Sequence, residues 1–219
     1  MQRGNVEELK RRLSSVLWLG GPPDCGKTSI ARELSLNYGL SVYHFDRHEP
    51  AHFGRADPVH HPALYAAHPE RMSTEERWLG STPAQMARAT VQSWTERFGM
   101  AIDDVLALSR TSSIIAEGPG FFPDCVAPVL AEYTKALWLV PTPAFKRESA
   151  IRRDKPGSRW ETTDPERAQQ NLIERDLIMG EHIHRTATEL GLTVYVVDGT
   201  VGIDEMCERV ARYFRTWLP

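Results

Sequence analysis

A chain of 219 residues, 41% apolar and 25% charged, is long enough for one sizeable core and has the balance of a globular protein. A net charge of −3 supplies no basic field for a large nucleic-acid footprint. Cys25, Cys125 and Cys207 are too sparse for a disulfide framework, no apolar stretch approaches a membrane span, and the polar N-terminus lacks a signal core, so a cytoplasmic protein without a membrane partner is expected.

Residues 5–13 read as a short polar helix and residues 15–19 as a strand apolar on both faces. The strand runs into Gly20-Gly21-Pro22-Pro23-Asp24-Cys25-Gly26-Lys27-Thr28, and Gly21 to Thr28 fits G-x-x-x-x-G-K-[ST]. Glycines at those places let backbone N–H groups turn towards phosphate oxygens, and the helix that follows points its positive end at the same anion. Lys27 would reach the outer phosphates and Thr28 would ligate Mg²⁺. Helical spacing at Ile30, Ala31 and Leu34 carries that helix from Thr28 to Tyr38, where Gly39 stops it. Residues 40–45 form a second strand that ends at Asp46.

Residues 47–80 show little periodicity and many histidines. His44, His48 and His52 have helical spacing, but Pro50 interrupts it, and the segment reads as a loop with short helices covering a pocket. Thr82-Pro83-Ala84-Gln85 starts a helix with a cap, an early proline and a reciprocal Gln. That helix is expected to end near Phe98, with Met86, Thr90, Trp94 and Phe98 as its core stripe, and a second to span 101–109. Residues 112–116 are a third strand ending at Glu117-Gly118-Pro119, and 135–140 a fourth. Thr142-Pro143 opens a basic helix that leads to a Pro/Gly loop with Arg152, Arg153 and Arg159. A long helix from Asp164-Pro165, a fifth strand at 192–197 and a last amphipathic helix complete the chain. Strands alternating with helices predict an α/β fold, a parallel sheet covered on both faces. The loop at 21–28, Asp46 and Glu117 all fall at carboxyl ends of strands, where such sheets carry their reactive groups.

On these residues the chain resembles the P-loop kinases of the nucleoside and nucleotide kinase type, and it is also similar to their antibiotic-modifying branch, such as the chloramphenicol and capuramycin phosphotransferases. The resemblance covers most of the chain and implies a single three-layer P-loop NTPase domain with a five-stranded sheet of order 2-3-1-4-5 and a helical lid at about 152–164. It implies ATP and Mg²⁺ as cofactors and a small-molecule hydroxyl, of an antibiotic, another secondary metabolite or a nucleoside, as acceptor under residues 47–110. Nucleotide contacts would come from Gly21, Asp24, Cys25, Gly26, Lys27, Thr28, Ser29, Arg153, Gly199 and Thr200, and metal contacts from Thr28 and Glu117. Asp46, Lys27, Arg152 and Arg159 would be catalytic, and Asp46, His48, Glu117, Phe121 and Phe122 would meet the acceptor. Two departures stand out: Asp24 replaces a common Gly, so its charge must turn away from phosphate, and Glu117 is one carbon longer than the usual Asp. A nucleotide-binding ATPase switch and a nucleic-acid 5′-end kinase are the rival readings; a homodimer is compatible with the kinase reading.

Overall fold

The computed structural model describes residues 3–108, 113–153 and 157–219. Five strands, β1 (Val16–Gly20), β2 (Ser41–His44), β3 (Ile114–Glu117), β4 (Ala136–Pro141) and β5 (Thr193–Val197), form one parallel sheet of order β2-β3-β1-β4-β5. The helices in chain order are α1 (Arg3–Arg12), α2 (Lys27–Tyr38), α3 (Glu49–Arg55), α4 (Pro62–Ala66), α5 (Thr74–Leu79), α6 (Pro83–Leu108), α7 (Pro123–Val126), α8 (Pro143–Arg153), α9 (Pro165–Glu189) and α10 (Ile203–Phe214).

Period-two alternation in the strands builds two cores. Leu17, Leu19, Ile115, Leu137 and Leu139 share one face with Ile30 and Leu34 of α2 and Met206, Val210 and Phe214 of α10. Val16, Trp18, Ile114, Ala116 and Trp138 share the other with Ala101 and Val105 of α6 and Met179 and Ile183 of α9. Both faces of the central strand β1 are sealed, so truncating Leu19 to Ala would cost about 2–5 kcal/mol.

Most helix boundaries follow their local signals. Gly39 takes φ 66° as the C-cap of α2, and its N–H reaches Ser35 O at 2.9 Å. Thr82 and Gln85 cap α6 reciprocally, with Gln85 N to Thr82 Oγ1 at 3.3 Å and Thr82 N to Gln85 Oε1 at 2.9 Å. The break expected after Phe98 does not occur: α6 runs unbroken for 26 residues. Gly99 weakens a helix by only about 1 kcal/mol, and the buried run Met100, Ala101, Ile102 and Val105 more than offsets that. Pro50 likewise lies in the first turn of α3, where its missing N–H costs nothing, so His48 and His52 do share one helical surface.

Candidate active site

The loop between β1 and α2 is shaped by backbone conformations that few residues tolerate. Gly21 has φ 127°, and a Cβ there would lie 2.0 Å from Leu139 O. Gly26, at φ 90°, precedes α2 with no side chain capping the first turn, so the leading amides face outwards as donors. Asp24 is the one non-glycine residue with positive φ among the described residues, at 68°. Its carboxylate turns away from the loop's concave side to Lys146 Nζ at 3.0 Å.

Lys27 opens α2 and folds back, donating to Pro22 O at 2.8 Å and to Cys25 Sγ at 3.4 Å. Cys25 is buried and its thiol donates to Pro22 O at 3.0 Å. Burial alone would lower the Lys27 pKa, but Cys25, Glu117 and Asp46 outweigh it and hold the pKa above its ordinary value. Lys27 is therefore a fixed cation. Thr28 is solvent-facing and its Oγ1 donates to Glu117 Oε1 at 3.0 Å; Ser29 follows, exposed, in the same turn.

Sheet register explains what else meets Glu117. His44 of β2 is its parallel partner, and Nδ1 of His44 lies 2.7 Å from Glu117 Oε1. Leu19 of β1 is its partner on the other side, which brings the acid beside the loop. Glu117 is 5% exposed, and a buried carboxylate with a hydroxyl at hand is an oxygen donor pair suited to a hard cation. No group of three or more His, Cys, Asp or Glu residues arranged to hold a metal by themselves occurs among the described residues.

Asp46 starts a 3-10 turn, Asp46–His48, just past β2. It is open to solvent on one side yet crowded by protein on the other. That desolvation raises its pKa; Lys27 pulls it down, Glu117 and Glu49 push it up, and Arg97 pulls it down. Asp46 thus lies within electrostatic range of Lys27 and Glu117. The neighbouring His48 stacks on Tyr43 with ring centroids 4.4 Å apart, and its Nδ1 lies 2.9 Å from His44 O.

Several residues that shape this site carry no local signal. Arg97 of α6 is fully buried; it donates to Phe45 O at 2.8 Å and Glu49 at 2.9 Å, and lies 4.0 Å above the Phe45 ring. It anchors the end of β2 immediately before Asp46. Lys146 of α8 and Asp176 of α9 pair at 2.7 Å beneath the loop, and Arg175 grips the other oxygen of Asp176 at 2.7 Å.

Beside Glu49, one helical turn from Asp46, opens a cavity of about 420 Å³ lined by Trp78, Trp94, Met72, Met86, Arg77 and Arg175. Most of its wall comes from the expected 47–110 segment, and α9 adds Arg175. A shallower groove of about 810 Å³ between β5 and α10 holds none of the loop residues.

Other expected contacts fall elsewhere. Phe121 and Phe122 are completely buried: Phe121 packs edge-on to Trp18 and Phe45, and Phe122 stacks on Trp94. Neither lines the cavity, so their expected place as acceptor contacts gives way to a core role. Arg152 is exposed and pairs along its own helix with Glu148 at 3.2 Å. The side chain of Arg153 lies outside the described residues, as do residues 154–156 of the expected lid. Arg159 is buried on a 3-10 turn, Ser158–Glu161, where it donates to Gln169 Oε1. This turn is pinned to α5, since Trp78 Nε1 donates to Ser158 Oγ at 3.0 Å and Thr163 N to Glu75 at 3.0 Å. Gly199 and Thr200 form an exposed turn after β5, with Thr200 N and Oγ1 on Asp198 Oδ1 at 3.0 and 2.7 Å.

No protein-family model and no curated protein matches the chain. Among solved structures it is similar to an uncharacterized protein from Eubacterium ventriosum ATCC 27560, at 13% identity and a TM-score of 0.44, over 92% of this chain and 98% of that one. No helix among the described residues is long and apolar enough to cross a membrane.

Proposed function

We propose that the chain is a P-loop kinase that moves the γ-phosphoryl group of ATP to a hydroxyl of a small molecule. The observation that carries this reading is the meeting of the loop with two acids. Thr28 touches Glu117 at 3.0 Å, while Lys27 and Glu117 both act electrostatically on Asp46. A hydrolytic switch would leave Asp46 and the adjoining cavity without a task.

In this reading the outward amides of Gly26 and the first turn of α2 receive phosphate oxygens, and Lys27 swings from Pro22 O to meet them. Thr28 and Glu117 fit Mg²⁺, which when bound would offset phosphate charge. Asp46 accepts a hydrogen bond from the acceptor hydroxyl and orients its oxygen for in-line attack. The new O–P bond forms as the bridging O–Pγ bond breaks; ADP leaves and the hydroxyl proton passes to Asp46. The 420 Å³ cavity holds the body of the acceptor and is large enough for an antibiotic or other secondary metabolite.

Acceptor-dependent release of ADP, screened over hydroxyl compounds, tests the reading. Turnover that appears only with an acceptor, and is lost in Asp46→Asn, is expected. Nucleotide hydrolysis indifferent to every acceptor and to Asp46 would sink it.

A further inference from the structure

Two carboxylates, Glu49 and Glu76, and two guanidinium groups, Arg77 and Arg175, line the cavity. Glu49 pairs with Arg97 at 2.9 Å, Glu76 accepts from the Ser73 amide at 2.9 Å at the start of α5, and Arg175 is held by Asp176. Arg77 differs. Its guanidinium donates to the Ala67 carbonyl at 2.6 Å, and among the described residues no carboxylate lies within ion-pairing distance of it.

Arg77 is half-buried, and desolvation lowers its pKa; Glu49 opposes that and Arg175 adds to it by repulsion. Desolvation is the largest of these effects, and the attraction of Glu49 exceeds the repulsion of Arg175. Asp176 cannot serve both, because it already binds Lys146 and Arg175. The rest of the wall mixes small polar residues and alanines with the aromatic side chains of Trp78 and Trp94 and the thioethers of Met72 and Met86, and the Arg175 guanidinium lies 5.3 Å over the Trp78 ring. Trp78 is fixed on both sides, by Ser158 at its indole N–H and by Asn171 Nδ2 on its carbonyl at 2.8 Å.

We infer that the cavity binds a planar, largely apolar molecule carrying a carboxylate or phosphate monoester, with that anion on Arg77 and the apolar body between Trp78 and Trp94. An anion there gives Arg77 its missing partner and relieves its repulsion with Arg175. A planar guanidinium matches both anions through two parallel N–H donors. As the identity of the acceptor this rests on the proposed phosphoryl transfer; as a binding site it does not.

Calorimetry without ATP tests it, using 2-naphthoate, 2-naphthyl phosphate and neutral 2-naphthamide as probes. At least one anion is expected to bind about tenfold or more tighter than the amide, and the two anionic arms tell carboxylate from phosphate recognition. Arg77→Met should erase the preference, and Arg77→Lys should restore part of it; Arg77→Gln replaces Arg77→Met if that variant does not fold. Equal binding of anion and amide, no binding of either anion, or a preference that survives loss of Arg77 would overturn the inference. So would anion binding lost in Lys27→Ala but kept in Arg77→Met, which would place the anion on the phosphate-type loop. Arg77-dependent anion binding in a protein that releases no ADP with any acceptor would leave this site standing and remove the kinase reading. Efficient turnover of neutral acceptors, unchanged in Arg77→Met, would do the reverse.

Discussion

Lys146 Nζ lies 2.7 Å from Asp176 Oδ2 and 3.0 Å from Asp24 Oδ2, so one buried ammonium ties α9 to the loop before α2. Neither Lys146 nor Asp176 has appreciable solvent contact. The pair accounts for the acid at position 24: its carboxylate faces Lys146, and its backbone supplies the left-handed turn of the loop.

Removing the cation should therefore be costly. Lys146→Met leaves Asp24 and Asp176 without their shared partner, and breaking a buried pair in this way costs about 3–5 kcal/mol. Denaturant unfolding of the variant measures this. A loss below about 1 kcal/mol would show that water or rearrangement already satisfies both acids.

Lys27→Ala should keep the fold, because among the described residues its side-chain hydrogen bonds go to Pro22 and Cys25 of its own loop. In the proposed reaction it removes a preorganised charge, and turnover should fall by about a hundredfold or more. Steady-state kinetics on the folded variant decide it, and near-normal turnover would take the loop out of the mechanism.

What could be read in the chain beforehand has a physical pattern. The backbone turns at Gly21 and Gly26 were legible because a contiguous loop must carry its own conformational freedom. The positions of Asp46 and Glu117 past neighbouring strands were legible because a parallel sheet gathers strand ends. Phe121 and Phe122 were misplaced because position just after a strand does not say which way a side chain turns, and both turn into the core. Arg97, Lys146 and Asp176 were silent for another reason. Each gains its role from partners 30 or more residues away, as Lys146 does from Asp176 and Asp24. The nearest signal was a charge inside an apolar stripe, Arg97 between Trp94 and Phe98. The unbroken α6 shows the converse, since Gly99 carried a local stop signal that tertiary burial overrode.

His52 makes stability depend on pH. Arg97 can only donate, so its contact at 3.2 Å makes His52 Nδ1 an acceptor and leaves the proton on Nε2, donated to Asp104 at 2.8 Å. Burial lowers the His52 pKa below 6.5; Asp104 opposes this and the Arg97 charge reinforces it. The native state thus favours neutral imidazole. Above the unfolded value near 6.5 that contribution is complete; as pH falls from there towards the lower folded value, the unfolded chain gains a proton the native one refuses. Stability should drop across that interval, and the drop should shrink in His52→Gln. Unfolding free energies measured in parallel for both proteins give the comparison. Identical slopes would mean that His52 takes its proton in the fold without penalty.

Asp46→Asn most sharply separates phosphoryl transfer to an acceptor from simple hydrolysis. The carboxylate stands just past β2, on the electrostatic footprint of Lys27 and Glu117, and it is not part of the loop that would hold nucleotide. Asn keeps its shape and can still meet a hydroxyl, but it cannot take the proton. General-base help is worth about 10² to 10⁴ in rate, and MgATP affinity should change little. The pH profile adds a second reading. Desolvation, with the like charges of Glu117 and Glu49, raises the Asp46 pKa above 3.8 against the pull of Lys27 and Arg97. In the proposed reaction Asp46 acts as base only when ionised, so acceptor turnover should fall on the acid side at a higher pH than an ordinary aspartate would give. That acid limb should vanish in Asp46→Asn, leaving a low, flatter profile. Wild-type acceptor turnover in the variant would reassign the base, and His48, two residues further on in the same 3-10 turn and stacked on Tyr43, would be the group to substitute next.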